Sequence, residues 1–489
     1  MGKKKKDGKI FTPKPIVKYM LYNSLWRHHE LDQHIIDNSC GDGAFLCEIV
    51  SNYCETYKFE HMRKGSDFKT TLETYIHGIE IDPVEHKKCL ENLDAVAEKY
   101  GIKDVKWDVQ NRDALSCHDY DGKMDYVIAN PPYIRTHDLV CDLSGYSFTE
   151  NGMKDIYLAF YELGFRMLKD SGSMCYIAPS SWFTSLAGQK MRDYVMKNKY
   201  LYSVHDLGHA RVFENATTYV AICVFRKFKY PYRQPDQILY RKGDNKMIQV
   251  SYDDMCIDGK FYFGTPEQLK QMREIIDYGK NLKTEDKAFE VKNGFATLAD
   301  DIFITENTLR VQAPEWEVPK REHLIHAYKS STGKLTYCIY PYKDGKLVSE
   351  ETLKKNSPDE YEWLVKHRER LETRATTEPW YAFGRTQAIN DVDTQKFPIR
   401  SLVRNVDDVR LVEAGRGIGV YGGLYILPKY KIGTGVKADL LEMLKSQDFI
   451  SYVKLLGKYK SGGYYTFSSK ELENYLNYKY EQWKKSTSM

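Results

Sequence analysis

Short apolar runs alternate with longer amphipathic stretches along the first half of the chain, as in βαβ units that feed a mostly parallel sheet. The four clearest runs are residues 35–36, 75–79, 124–129 and 174–178. They lead into a glycine loop, Glu80, Asn130 and Pro179, respectively. Open α/β sheets bind ligands at the carboxyl ends of their strands. The pattern therefore predicts an α/β domain with a ligand site at one edge of its sheet.

The spacing of apolar residues also predicts a helix and a domain limit. Residues 158–168 are apolar at helical spacing, and residues 170–173 are expected to stop this helix and turn into the next strand. Polar residues 61–73 resemble an insertion in the first crossover. After residue 225 the chain becomes basic, aromatic and proline-bearing, so we predict domains at 1–228 and 229–489.

Composition agrees with two domains and narrows the choice of partner. The 489 residues exceed what one core usually organises. Residues 1–226 carry 29 basic and 31 acidic side chains, whereas residues 227–489 carry 43 and 37, so the second half is the better candidate to face a polyanion. Ten cysteines without a Cys-x-x-Cys pair argue against zinc or disulfides, and we expect no metal. Without a long apolar run or an export leader, the chain is expected in the cytoplasm, away from membranes.

The run Asn130-Pro131-Pro132-Tyr133 indicates a site that methylates an amino nitrogen. An exocyclic amino group is a poor nucleophile because its lone pair is delocalised into the ring. The Asn130 side-chain oxygen and the Pro131 carbonyl can accept both amino hydrogens and aim the lone pair at a methyl donor. The prolines hold these acceptors still, and the Tyr133 ring offers a face for an extruded base. By itself, the tetrapeptide could also be an ordinary strand-to-loop turn.

The glycine loop at residues 37–43 carries acids instead of a phosphate-binding pattern. It lacks the full G-x-G-x-x-G pattern and a Walker lysine. Asp37 and Asp42 suit a cofactor with an ammonium and a sulfonium group. Glu80 can accept hydrogen bonds from ribose hydroxyls, and Asp113 from an adenine amino group. Singly, each acid could be a helix cap or a solvated charge, but in this order they predict S-adenosylmethionine. Further candidate cofactor residues are Ser39, Gly41, Ile81, Ala114 and Asn130.

With these motifs, nearly the whole chain resembles the gamma-class amino-DNA-methyltransferases of bacterial restriction-modification systems. Gly8-Lys9-Ile10-Phe11-Thr12-Pro13 is similar to the family's N-terminal cofactor motif, in which the threonine holds the methionine carboxylate. The resemblance implies that Asp37 holds the amino group, Glu80 the ribose and Asp113 the adenine of the cofactor. Asp155-Ile156-Tyr157 resembles the start of the helix after the catalytic motif. Residues 207–213 resemble a late loop whose aromatic residue, here Phe213, stacks on the flipped adenine, although this match has two extra residues after the glycine.

The resemblance extends to the second half of the chain. Residues 293–301, residues 341–342 and residues 380–387 are similar to segments of the family's recognition domain. The implied fold is a Rossmann-like S-adenosylmethionine-dependent methyltransferase domain of the α/β class, followed by a mixed α+β target-recognition domain. The implied partner is double-stranded DNA, and Arg385 and Gln387 are candidates for contacts with base edges.

Several activities remain open at this point. The tetrapeptide is similar to the form that methylates adenine N6, with cytosine N4 as the alternative. Methyltransferases of RNA or of protein glutamine share it, but the long second half favours DNA. A non-catalytic DNA-binding subunit is a further alternative, against which the intact motifs argue. We expect direct transfer to a flipped adenine without a covalent intermediate, because no cysteine lies at the catalytic strand end.

The resemblance also implies a cellular setting. The chain is expected to be the modification enzyme of a restriction-modification system, beside a cognate restriction endonuclease. It is expected to act as a monomer on DNA in the bacterial cytoplasm, associated with the nucleoid when it acts.

Overall fold

The computed structural model describes residues 11–26, 30–60, 68–134, 142–152, 155–213, 218–228, 235–305, 322–429 and 435–487. The chain divides into two compact units, Met1–Lys270 and Gln271–Met489. Gly8, Lys9 and Ile10 of the predicted N-terminal motif lie outside the described residues. Over the described ranges, no helix combines the length and the apolar character needed to cross a membrane.

The first unit is built on a large mixed sheet. Its strands are β1 (Ile35–Asp37), β2 (Ile76–Glu80), β3 (Asp108–Asn111), β4 (Met124–Ala129), β5 (Leu168–Pro179), β6 (Leu201–Asp206), β7 (Val220–Arg226), β8 (Gln237–Lys242) and β9 (Ile248–Ser251). In the described residues these nine strands follow the order β3-β2-β1-β4-β5-β7-β6-β8-β9. The first five are parallel, and β7 is antiparallel to both of its neighbours.

The order of these strands creates the ligand site that the sequence predicted. The chain runs outward from β1 to β2 and β3 and then returns to β4 on the other side of β1. Such a reversal separates the loops that follow β1 and β4 and opens a crevice at their carboxyl ends. All six residues of β4 are buried, as expected for a strand covered on both faces.

Helices connect these strands. They are α1 (Lys14–Asn23), α2 (Ala44–Glu60), α3 (Phe68–Tyr75), α4 (Pro83–Glu98), α5 (Ile156–Met167), α6 (Gln189–Asn198) and α7 (Tyr252–Met255), and α8 (Pro266–Asn281) spans the limit between the two units. The side chain of Asp82 caps α4 by accepting from Val84 and Glu85, and Pro83 fixes its first turn. A short hairpin, β10 (Cys256–Ile257) with β11 (Lys260–Phe261), lies between α7 and α8.

Two details differ from the sequence pattern. Residues 170–173 form no separate turn, because β5 begins at Leu168, directly after α5, and includes them. The pairing of β5 with β4 is irregular there, and Ser171 has a φ of 68°. The second detail concerns the sheet, in which β8 pairs with β6 although it follows residue 228. The functional limit between domains 1–228 and 229–489 stays a prediction. Of the polar segment 61–73, residues 61–67 lie outside the described residues and Phe68 begins α3.

The second unit is a mixture of short strands and helices, in accord with the predicted α+β class. Its strands are β12 (Phe289–Asn293), β13 (Ile304–Thr305), β14 (Leu324–Lys329), β15 (Lys334–Ile339), β16 (Tyr342–Lys343), β17 (Lys346–Leu347), β18 (Phe397–Ile399), β19 (Leu402–Val403), β20 (Ile418–Tyr421), β21 (Leu424–Pro428), β22 (Tyr459–Lys460) and β23 (Tyr464–Thr466). Its helices are α9 (Asp300–Phe303), α10 (Glu350–Asn356), α11 (Pro358–Lys366), α12 (Arg368–Glu372), α13 (Val436–Leu444), α14 (Gln447–Leu455) and α15 (Ser469–Thr487).

Aromatic residues and the last helix organise this unit. Phe295 and Phe383 stack with their ring centroids 4.4 Å apart in an apolar core. On α15, the Asn477 side chain accepts from the backbone of Ala288 and Phe289 and donates to the Phe289 carbonyl. Because these bonds satisfy backbone groups at the start of β12, they fix the helix to that edge of the sheet.

Candidate active site

A cavity of about 590 Å³ lies at the carboxyl ends of β1, β2 and β4. All nine candidate cofactor residues line it: Thr12, Asp37, Ser39, Gly41, Glu80, Ile81, Asp113, Ala114 and Asn130. Pro131 and Pro132 also contribute to its wall. The volume is in the range of small-molecule and cofactor sites. These residues are widely separated along the chain, from Thr12 to Asn130, and the fold brings them to one cavity.

The glycine loop forms the floor of the cavity and begins α2. Gly43 has a φ of +88°, and a Cβ at this position would lie 2.7 Å from the Cys89 sulfur on α4. Only glycine allows both this backbone conformation and this close approach. The Gly43 amide donates to the Cys40 carbonyl, and the Cys40 amide donates to the Ile79 carbonyl, so the loop is tied to β2.

Glu80 joins the loop to the start of the next crossover. Its carboxylate accepts from the Gly41 amide and from the Asp82 amide, each at 2.8 Å. Each carboxylate oxygen can accept more than one hydrogen bond, so Glu80 keeps acceptor capacity toward the cavity that it lines. Asp113 caps a 3-10 turn by accepting from the Leu115 amide at 3.0 Å. The cap orients this carboxylate at the cavity wall and does not exclude a second acceptor role.

Asp37 is the most strongly perturbed acid at the cavity. It is only 1% exposed. Its pKa is raised to about 8, chiefly by burial; a hydrogen bond from the Ser39 amide lowers the pKa, and the nearby Glu80 and Asp42 raise it. The pKa of Asp42 is also raised, first by its own burial and then by Glu85. A cluster of acids that repel one another in this way is complementary to a cation.

This set of residues fits S-adenosylmethionine. The cofactor carries an ammonium and a sulfonium, which the buried acids would stabilise, and the cavity adds apolar wall residues such as Ile81 and Phe160. The Asn38 side-chain oxygen is buried beside this cavity without a hydrogen-bond partner among the described residues. It offers a further acceptor. Within the described ranges, no group of three His, Cys, Asp or Glu side chains is arranged to hold a metal.

The tetrapeptide Asn130-Pro131-Pro132-Tyr133 follows β4 and contacts β5. The Tyr133 hydroxyl lies 2.5 Å from Oδ1 of Asn130 and 2.9 Å from the Ile177 carbonyl. Burial holds the pKa of Tyr133 well above its usual range, so the hydroxyl keeps its hydrogen. The Ser39 hydroxyl donates to the Asn130 carbonyl at 3.4 Å, which connects the tetrapeptide to the cofactor loop. The predicted acceptor Asn130 therefore lies between the cofactor cavity and Tyr133.

The structure brings the two predicted aromatic faces together, but at an angle. The rings of Tyr133 and Phe213 lie with centroids 6.0 Å apart and planes at 62°. Phe213 is 5% exposed and packs in the core of the first unit. A base stacked on both faces needs two parallel rings on either side of it. Phe213 would have to move before it could stack on a base that rests on Tyr133.

Some residues at the cavity carried no role in the sequence prediction. Phe11 is half exposed and lines the cavity next to Thr12, and Ile156 and Phe160 of α5 line it one helical turn apart. The i, i+4 spacing of the α5 pair is visible in the sequence, but an apolar helix face more often packs in the hydrophobic core than lines a binding site. Of the two guesses in the second unit, Arg385 is exposed, whereas the Gln387 side chain donates to the Gly294 carbonyl at 3.0 Å.

Comparisons with known proteins found similarity to restriction-modification methylases. Residues 19–213 match the family model described as the Eco57I restriction-modification methylase. The type II restriction enzyme and methyltransferase RM.Eco57I of Escherichia coli is 22% identical over 81% of this chain and 49% of its own length. The type II methyltransferase M.BstVI of Geobacillus stearothermophilus is 23% identical over 64% of this chain and 63% of its own. The chain thus spans about half the length of the first relative and less than two thirds of the length of the second.

A solved structure supports the fold over almost the whole chain. The type IIL restriction-modification enzyme MmeI, in complex with DNA, superposes with a TM-score of 0.60 at 11% identity and covers 94% of this chain and 65% of its own. This likeness and the sheet order confirm the predicted fold class. The methylase match confirms S-adenosylmethionine as the cofactor, because the matched region holds nearly all of the cavity-lining residues. Residues 19–213 are therefore similar to the Eco57I restriction-modification methylases, in accord with the resemblance that the sequence motifs indicated.

Proposed function

We propose that this chain methylates DNA, and that it transfers a methyl group to N6 of an adenine extruded from a double helix. The observation that carries the proposal is the position of Asn130, at the end of β4, in the wall of the cavity that collects the cofactor residues. MmeI, which superposes on nearly the whole chain, was solved in complex with DNA. The relatives named above are type II restriction-modification enzymes, so we infer that this chain modifies the sites of such a system.

In the proposed reaction, the chain orients the target amino group, and the cofactor provides the reactive methyl group. Bound S-adenosylmethionine supplies an electrophilic methyl group. Oδ1 of Asn130 and the Pro131 carbonyl each accept one hydrogen of the target amino group, which localises the nitrogen lone pair. With its lone pair localised, the nitrogen would accept the methyl group that the bound cofactor supplies as its sulfonium becomes a thioether, and the methylated nitrogen would release one proton to water. No side chain forms a covalent bond with the base.

Tyr133 serves this reaction in two ways. Its ring offers one face for the extruded base. Its hydroxyl donates to Oδ1 of Asn130 and so fixes which end of the side-chain amide is the oxygen. An amide oxygen has two lone pairs, so Oδ1 can accept from Tyr133 and from the base together. Tyr133 is thus a positioning residue for Asn130 as well as a stacking surface.

The experiment that tests the proposal combines one variant with identification of the product. Purified protein is incubated with methyl-labelled S-adenosylmethionine and, in parallel reactions, with duplex DNA, RNA or protein, and the nucleosides or amino acids are separated after digestion. We expect N6-methyladenine. Asn130→Ala should lose roughly 10²-fold or more in kcat, the scale of removing one oriented polar group, while the protein still binds the cofactor.

Three results would contradict parts of this proposal. Label in N4-methylcytosine would keep DNA methylation but exclude adenine. Label in RNA or protein glutamine alone would exclude DNA as the substrate. Near-normal turnover by Asn130→Ala would remove Asn130 from the reaction.

A further inference from the structure

Two arginine side chains contact the Tyr464 ring in the second unit, and a lysine and a third arginine are paired across a strand from these residues. The sequence Ser461-Gly462-Gly463 makes the turn between β22 and β23, and Tyr464 follows it. The guanidinium carbons of Arg404 and Arg400 lie 4.3 and 5.0 Å from the centroid of the Tyr464 ring. Lys460 is the residue paired with Tyr464 across the hairpin, so its side chain is on the same face. Arg404 and Lys460 are exposed and Arg400 is partly exposed.

The fourth cation faces Arg400 across an antiparallel ladder. Ile399 pairs with Leu411 and Lys396 with Ala414, which places Arg410 directly opposite Arg400. The Arg400 amide donates to the Arg410 carbonyl at 3.1 Å, as in the hydrogen-bonded pair of such a ladder. Like charges directly opposite each other destabilise a sheet. The repulsion between Arg400 and Arg410 therefore destabilises the fold unless an anion binds between or beside them.

Carboxylates near these cations offset only part of their charge. Asp408 accepts from the Arg404 guanidinium at 2.9 and 3.2 Å, and this bond lowers the pKa of Asp408. Asp407 is exposed next to it. Among the residues that the structure describes, Arg400, Arg410 and Lys460 form no ion pair, and Nε of Arg400 is buried without an acceptor. Three of the four cations are thus available to an external anion.

We propose that Arg400, Arg404, Arg410, Lys460 and Tyr464, here called the Arg400 cluster, bind backbone phosphates of double-stranded DNA. The inference rests on the proposed function and adds a contact surface to it. Arginine donors form paired hydrogen bonds with phosphate oxygens, and the guanidinium is stable against an aromatic face. The Tyr464 ring already has two guanidinium neighbours, so its role is to hold them and not to stack on a base. Phosphate contact predicts salt-sensitive binding without sequence preference.

The test measures DNA affinity against salt for the full chain. Arg400→Gln/Arg410→Gln removes two unpaired cations from the cluster. The matched control, Arg368→Gln/Arg370→Gln, removes two exposed arginines that are already paired, with Glu372 and Asp301. Each protein is titrated onto a duplex with a site that the wild type methylates and onto a duplex without one. Thermal unfolding checks that all variants fold.

Two lost phosphate contacts should reduce the slope of log affinity against log salt by about 1.8. The wild-type affinity should then fall about 12-fold more than that of the cluster variant between 50 and 200 mM salt. Affinity for both duplexes should fall together, and the control should keep the wild-type slope. The inference is overturned by an unchanged slope in the cluster variant, by an equal change in the control, or by a loss confined to the duplex with the site. If the wild type methylates no DNA, the proposed function itself fails.

Discussion

Removal of a single oxygen atom, in Tyr133→Phe, separates the two roles assigned to this residue. The ring remains, so its face can still carry a base. The contacts of the hydroxyl with Oδ1 of Asn130, at 2.5 Å, and with the Ile177 carbonyl, at 2.9 Å, are lost. Asn130 then loses a donor that favours its oxygen end at this position. An amide that spends part of its time reversed presents donors where the target amino group needs an acceptor.

The size of the effect follows from the bond that is lost. A typical intramolecular hydrogen bond contributes about 0.5–1.5 kcal/mol net, which corresponds to a fall in kcat of about 2- to 13-fold. The loss should be much smaller than the roughly 10²-fold expected for Asn130→Ala, because the acceptor itself is still present. In an Asn130→Ala background, Tyr133→Phe should have almost no further effect on kcat, since its target is gone.

The assay is single-turnover methylation together with the fluorescence of 2-aminopurine at the target position. Tyr133→Phe should lower the rate and keep the fluorescence rise that accompanies base extrusion, because the ring face is unchanged. Tyr252→Phe is the matched control: its hydroxyl donates to the Leu201 carbonyl at 2.6 Å, and Tyr252 does not line the cavity. A wild-type rate for Tyr133→Phe, or an equal loss with and without Asn130, would refute the positioning role.

Three further predictions concern Asp37 and the extent of the first domain. The raised pKa of Asp37, about 8, keeps its carboxyl protonated in the ligand-free protein, whereas a bound ammonium group needs the charged form. The affinity for S-adenosylmethionine should therefore rise between pH 6 and 7.5, and calorimetry should detect a proton release on binding that Asp37→Asn abolishes. A wild-type affinity that does not change with pH would contradict this prediction. By the same linkage, the ligand-free protein should lose stability as the pH rises from 3.8 to about 8. A protein ending at residue 228 should unfold at lower temperature than one ending at residue 264, because it lacks β8 and exposes the edge of β6; equal melting temperatures would favour the predicted limit.

The residues of the cofactor cavity could be predicted because buried parallel strands have a recognisable sequence pattern. A strand buried on both faces is a continuous apolar run, and the residue that ends it lies at the ligand edge of the sheet. Glu80 and Asn130 were found in this way, and both line the cavity. The same rule does not tell how a side chain bonds across the sheet. The contact between Tyr133 and Ile177 joins residues 44 positions apart, on a strand whose own pattern carries no sign of it.

The second unit was less predictable for the opposite reason. Several of its strands, such as β19 and β22, have only two residues, too few to show an alternation of apolar and polar positions. The Arg400 cluster is assembled from the ladder that holds residues 400 and 410 and from the hairpin at residues 459–466. No local spacing connects these segments. Only the overall excess of basic residues in the second half indicated that such a surface exists.

The angle between Tyr133 and Phe213 bears on how a base would enter the site. In the ligand-free arrangement the edge of one ring meets the face of the other, and Phe213 is buried in the core. The two rings contact each other when no base is present. If a base is extruded onto both of them, this one aromatic contact is lost and two base–aromatic contacts form. Stacking contributes about 1–3 kcal/mol per base, comparable with the few kcal/mol that unstacking and unpairing cost. The balance is close enough that a mismatch opposite the target, which lowers the cost of extrusion, should tighten binding measurably.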